Sequence, residues 1–88
     1  MSSPRSRFRT VVNKSAPHET RTAAIDDLGE MAATTQLRVI VVMDGLNGSF
    51  RRQALNALGR CQATAELAVL ADDTSLPAAL QKRAKQLT

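Results

Sequence analysis

Apolar residues fall in short clusters along the chain, and the spacing inside each cluster predicts its secondary structure. Residues 37–43 contain four consecutive β-branched residues and are followed by Asp44 and Gly45, a pattern that favours a buried strand. Residues 7–12 alternate in part and then become β-branched, as a half-buried or edge strand does. Residues 65–71 are apolar except for Glu66, so their periodicity fits either a strand or a helix, and the sharp stop at the polar stretch 72–75 favours a strand. We interpret these three segments as strands.

Helical spacing dominates between these segments. Residues 19–34 carry apolar side chains three and four apart, which predicts an amphipathic helix with Gly29 in its interior. Ser49 can cap a second helix, which Gly59 is expected to end. Pro77 suits the first turn of a last helix. The apolar positions of the second and last helices are Phe50, Ala54, Ala57 and Leu58, and Leu76, Leu80, Ala84 and Leu87.

The predicted order is strand, helix, strand, helix, strand, helix. This alternation indicates a small α/β domain (βαβαβα) with a parallel or mixed three-stranded sheet. A ferredoxin-like α+β fold is an alternative, because Asp44-Gly45 and Asn47-Gly48 are hairpin signals. A second alternative makes residues 37–43 a buried helix in an all-α domain of helix-turn-helix type.

Length and composition limit the kind of protein. With 88 residues, the chain has room for one domain, which we place at residues 7–88 after a flexible basic segment at residues 1–6. Its single cysteine excludes an intrachain disulfide, and no Cys and His spacing predicts a metal site. No pattern calls for a cofactor. The longest apolar run is too short for a membrane span, so we expect a cytoplasmic protein without a membrane partner.

Charge is distributed unevenly along the chain, whose formal net charge is +4. Residues 1–14 are basic, residues 15–35 are mainly acidic, residues 38–60 are mainly basic, residues 66–73 are acidic and residues 82–85 are basic. This alternation predicts a dipolar surface with an electropositive side, which would suit an anionic partner. An ordinary solubilising surface is the alternative interpretation.

Residues 39–52 resemble the phosphate loop of nucleotide kinases, which also follows a buried strand and opens a helix. The chain departs from that loop where the chemistry lies: Phe50 replaces a Gly, Arg51 replaces the Lys, and Arg52 replaces the Mg²⁺-binding Ser or Thr. We therefore expect no ATP chemistry. A Gly-containing loop at a helix N-terminus could still bind an anion together with Arg51 and Arg52, or could serve only as a turn.

Two further basic elements are potential sites for nucleic acid or another anion. Arg52, Asn56 and Arg60 lie four residues apart, hence on one side of the second helix, as either a binding face or a solvated one. Near the N-terminus lie Arg5, Arg7 and Arg9. They suit an arm lying along phosphates, or an edge strand protected by charge.

Catalytic signals are weak. His18 has no partner identifiable in the sequence, and Cys61 lacks a positioned base, so we expect no enzymatic activity. The sequence instead predicts a small binding or regulatory module that contacts an anionic partner, nucleic acid first. The alternative is a protein-interaction module acting through helices or an exposed sheet edge. Because an Ala-rich core of this size buries little surface, we also expect a protein partner or self-association.

Overall fold

The structure is a computed structural model that describes residues 3–88. In this part of the chain every regular element is an α-helix. The helices are α1 (Pro4–Val12), α2 (His18–Glu30), α3 (Thr34–Val42), α4 (Gly48–Arg60), α5 (Thr64–Ala71) and α6 (Ala78–Leu87).

The predicted α/β fold is therefore wrong, and so is its ferredoxin-like variant, because the three expected strands are the helices α1, α3 and α5. In α3, Leu37, Ile40 and Val41 are buried while Arg38 and Val42 are exposed, which is a helical period. Burial against neighbouring helices thus overrides the β propensity of the branched residues. Of the alternatives weighed, the all-α class is the correct one.

The six helices form three antiparallel hairpins that repeat every thirty residues. Within the first hairpin, α1 packs on α2, and Arg7 near the start of α1 meets Asp27 near the end of α2. The same pairing joins α3 with α4 and α5 with α6. Between hairpins, α2 packs on α4 and α4 on α6, more closely than α1 packs on α3. The chain is therefore a short stack of helical hairpins in two layers, as in α-solenoids.

The second helix of the first two hairpins ends in the same backbone turn. Ala32 and Gln62, thirty positions apart, have φ values of 52° and 56°. In each turn the next N–H bonds back to a carbonyl in the last turn of the helix, Ala33 to Leu28 and Ala63 to Leu58. This is the Schellman arrangement, which usually carries glycine at the left-handed position. Gly59 does not end α4, contrary to expectation, because the helix continues through Arg60.

A continuous apolar core runs through all three hairpins. Its largest fully buried side chains include Ile25, Leu28, Leu55, Leu58 and Leu67. Burial is greatest in α4, the middle helix of the α2–α4–α6 layer, because it has a neighbour on each side. The outward surfaces of α4 and α6 stay uncovered, and a groove lies between them.

Two expectations about organisation concern the ends of the chain. Residues 1 and 2 of the predicted flexible segment lie outside the described residues, whereas residues 4–6 belong to α1, which Ser3 caps by accepting a hydrogen bond from Ser6. Among the described helices none has both the length and the apolar character needed to cross a bilayer.

Candidate anion-binding groove

A groove of about 250 Å³ lies between α4 and α6 on the outward surface of the α2–α4–α6 layer. Arg52 forms one wall from α4, and Lys82, Arg83 and Gln86 form the other from α6. Ala79 and Leu80 complete its lining. Arg52, Lys82 and Arg83 lie on one groove because α4 and α6 run parallel, so positions thirty residues apart become neighbours.

Arg83 is held in position by two side chains of the groove. Its Nε donates to Asn56 Oδ1 at 2.9 Å, and its Nη1 lies 3.3 Å from Gln86 Oε1. These bonds fix the guanidinium plane and leave Nη2 without a hydrogen bond within the described chain. A guanidinium that is already ordered loses less entropy when it binds a carboxylate or phosphate.

The groove is electropositive because neither of its two helices contains an acidic residue. The neighbouring helix α2 is acidic, and Asp26 on it is already engaged: Gln53 donates to its Oδ1 at 3.0 Å, and Arg60 lies 3.8 Å away. The positive surface is therefore bounded by α2 on one side. Its width is that of the α4–α6 junction.

A second cavity, about 440 Å³, continues this groove toward the start of α4. The two share Arg52, Ala79 and Leu80, and the second adds Gly48, Ser49, Arg51 and Pro77. The backbone N–H of Ser49 is taken by the capping side chain of Asn47 at 2.8 Å. Arg52 thus stands at the middle of one continuous groove.

Arg51 has a structural environment unlike that of Arg52. It is only 6% exposed, and its Nε donates to the main-chain oxygen of Val41 at 2.8 Å. Its Nη2 lies 3.6 Å from the Asp44 carboxylate, a distance too long for a hydrogen bond. The Arg51 guanidinium is thus used to bond a main-chain oxygen at the end of α3. Arg52 is the arginine of α4 that is available to bind a ligand in the groove.

The remaining predicted site residues are not brought together. Asn56 holds Arg83, and Arg60 faces Asp26. Arg5, Arg7 and Arg9 lie on α1, which belongs to the other layer. The Arg7 Nε lies 3.2 Å from Asp27, so this arginine bridges α1 and α2.

Sequence reasoning missed Lys82, Arg83 and Gln86. The signal that could have found them is the thirty-residue repeat: Lys82 occupies the position of Arg52, and Arg83 that of Gln53. Both side chains bind the previous helix of their own layer: Gln53 on α4 binds Asp26 on α2, and Arg83 on α6 binds Asn56 on α4. A repeat alignment would have placed the basic positions of α4 and α6 on one surface.

The two residues considered for catalysis lie apart from this groove. His18 stacks on Phe50, with ring centroids 4.9 Å apart, and Arg21 lies over the same ring. The Cys61 Sγ donates to the Gly29 carbonyl at 3.3 Å. Within residues 3–88 no cluster of three His, Cys, Asp or Glu side chains is placed to hold a metal ion.

Comparisons with protein families, curated proteins and solved structures found no match to this chain.

Proposed function

We propose that this protein is a non-enzymatic binding module whose α4–α6 groove takes an acidic segment of another protein. The observation that carries the proposal is the convergence of Arg52, Lys82 and Arg83 on one groove that no acidic residue lines. Charge-assisted hydrogen bonds from such side chains to carboxylates are the stronger kind, and the apolar lining at Ala79 and Leu80 can pack against aliphatic parts of the ligand.

The shape of the positive surface favours a short acidic segment over nucleic acid. A ligand extending past α4 onto α2 meets a helix that carries four acidic residues, which repel phosphates. The groove lining contains no aromatic side chain on which a base could stack. Nucleic acid, the partner class favoured by composition and charge alone, becomes the second arm of the test.

Fluorescence anisotropy with a labelled glutamate-rich peptide and a labelled DNA duplex tests the proposal. We expect the peptide to bind the wild-type protein at low salt. Arg52→Ala and Lys82→Ala should each weaken its affinity about fivefold, the effect of losing one charged contact of about 1 kcal/mol. Lys14→Ala and Arg38→Ala are matched controls, because they remove the same charge from exposed positions away from the groove.

Three outcomes contradict the proposal. One is failure of the peptide to bind at low salt. Another is an equal loss of affinity in the groove variants and the controls, which would indicate nonspecific attraction. The third is tighter binding of DNA, with a salt slope that Arg52→Ala and Lys82→Ala each reduce by about 0.9, which would assign the groove to nucleic acid.

A further inference from the structure

The contacts between the first and second hairpins recur between the second and third. Gln53 donates to Asp26 at 3.0 Å, and Arg83, thirty positions later, donates to Asn56 at 2.9 Å. Gly29 likewise lies close to Ala57, and Gly59 to Leu87. One geometric step therefore relates α2 to α4 and α4 to α6. Applied once more, the same step defines where the second helix of a further hairpin would pack on α6.

The surface at the α5–α6 end of the stack is polar. Lys85 is exposed, whereas Ile25 and Leu55, at the equivalent positions of α2 and α4, are fully buried. Lys85 therefore lies where a further hairpin would contact α6. Asp72, at the end of α5, is exposed as well.

The surface at the α1–α2 end is polar in a complementary way. Asp27 occupies the position at which Ala57 and Leu87 pack on the preceding hairpin. Glu30 occupies the position of Arg60, which reaches back to the preceding hairpin. These side chains mark the surface by which α2 would contact a hairpin before it.

The end helices of the α2–α4–α6 layer carry opposite charges. The helix α2 carries four acids and one arginine, whereas α6 carries three cations and no acid. The repeat step places an incoming α2 beside α6, so an acidic helix meets a basic one.

We propose that copies of this chain associate head to tail, with the α1–α2 hairpin of one copy packed on the α5–α6 hairpin of the next. A symmetric contact through the α6 helices alone would oppose cations to cations, whereas the head-to-tail contact pairs opposite charges. Such contacts are heterologous, so they extend into open chains unless the rotation closes a ring. Each junction is one hairpin wide and polar, and the association is therefore weak and salt-dependent.

Sedimentation velocity over a concentration series up to about 1 mM, at low and high salt, tests this assembly. The wild-type protein should form species larger than a monomer at low salt that dissociate at high salt. Glu30→Lys and Lys85→Glu should each weaken association about tenfold, since attraction becomes repulsion. The double variant should regain part of the wild-type association because opposite charges again face each other across the junction.

Arg38→Glu is the matched control, because it changes the charge of an exposed residue on the middle hairpin, which forms neither end surface. A monomer at every concentration at low salt would overturn the proposal. So would a double variant that associates more weakly than both single variants, since that result excludes opposite charges facing each other across the junction. Neither Glu30 nor Lys85 lines the α4–α6 groove, so peptide binding and self-association can fail separately.

Discussion

Arg21 and Arg51, thirty positions apart, make the same hydrogen bond. Each Nε donates at 2.8 Å to the main-chain oxygen of the residue ten positions earlier, Val11 for Arg21 and Val41 for Arg51. The accepting carbonyls lie in the last turns of α1 and α3, where helix geometry leaves oxygens without an intrahelical partner. Each arginine thus closes its own hairpin, and the repeat is visible in side-chain chemistry as well as in the backbone.

The two arginines should differ in their contribution to stability because their burial differs. Arg51→Ala strands a buried carbonyl and should lower the free energy of unfolding by about 2–3 kcal/mol. Arg21→Ala should cost about 1 kcal/mol, since Arg21 is only half-buried. Urea denaturation measures both, with the exposed Arg52→Ala as control. An Arg51→Ala variant as stable as Arg52→Ala would show that this hydrogen bond does not hold the hairpin.

The left-handed turns should be improved by glycine. Ala32 has a φ of 52°, a conformation that strains an L side chain, so Ala32→Gly should raise the free energy of unfolding by about 1 kcal/mol. Ala23→Gly is the matched control: Ala23 is exposed inside α2, and the change should lower stability by about 1 kcal/mol. Equal losses in both variants would contradict the left-handed turn at Ala32.

Two helical glycines should respond differently to alanine. At Gly29 the added methyl group would lie 3.4 Å from the Ala57 Cβ, an ordinary contact, so Gly29→Ala should stabilise by about 0.5–1 kcal/mol. At Gly59 it would lie 2.9 Å from the Leu87 Cδ2, and this side chain must move. Gly59→Ala should therefore stabilise the protein less than Gly29→Ala does, or destabilise it. Equal gains in urea denaturation would mean that α4 and α6 do not approach so closely.

The helices α2, α4 and α6 could be predicted from the sequence, whereas α1, α3 and α5 could not. For α2 and α4, the apolar spacing over thirteen residues sufficed, although Asn47 and not the expected Ser49 caps α4. The helices α1, α3 and α5 have eight or nine residues, too few for periodicity to outweigh their β-branched content. Their helical state follows from packing in hairpins, which the thirty-residue recurrence of Arg21 at Arg51 and Gly29 at Gly59 would have indicated.

The groove was predictable only in part, for a related reason. The spacing that placed Arg52 and Asn56 on one side of α4 was correct as local geometry. Which cations stand beside Arg52 depends on α6 packing parallel to α4, a tertiary relationship. Burial of Arg51 depends likewise on the end of α3, and sequence position alone gives no indication of that contact.

The loop before α6 should contribute to the pH dependence of stability. The Ser75 hydroxyl donates to Asp73 Oδ1 at 2.6 Å and the Ser75 backbone N–H at 2.9 Å, and these bonds lower the pKa of the Asp73 carboxyl below that of an ordinary aspartate. Because the folded pKa is the lower one, this contribution is present above the unfolded pKa and is lost as pH falls through the folded value.

Ser75→Ala removes the hydroxyl bond, the larger cause of the shift, and leaves the backbone N–H in place. The pKa of Asp73 should therefore rise part of the way back, and an NMR titration of its carboxyl carbon measures the change. Ser15→Ala is the control for loss of a serine hydroxyl, because the backbone N–H of Ser15 donates to Asn13, which does not titrate. An Asp73 pKa that stays unchanged in Ser75→Ala would assign the whole shift to the backbone donor. The stability of that variant would then fall with acid as steeply as that of the wild-type protein.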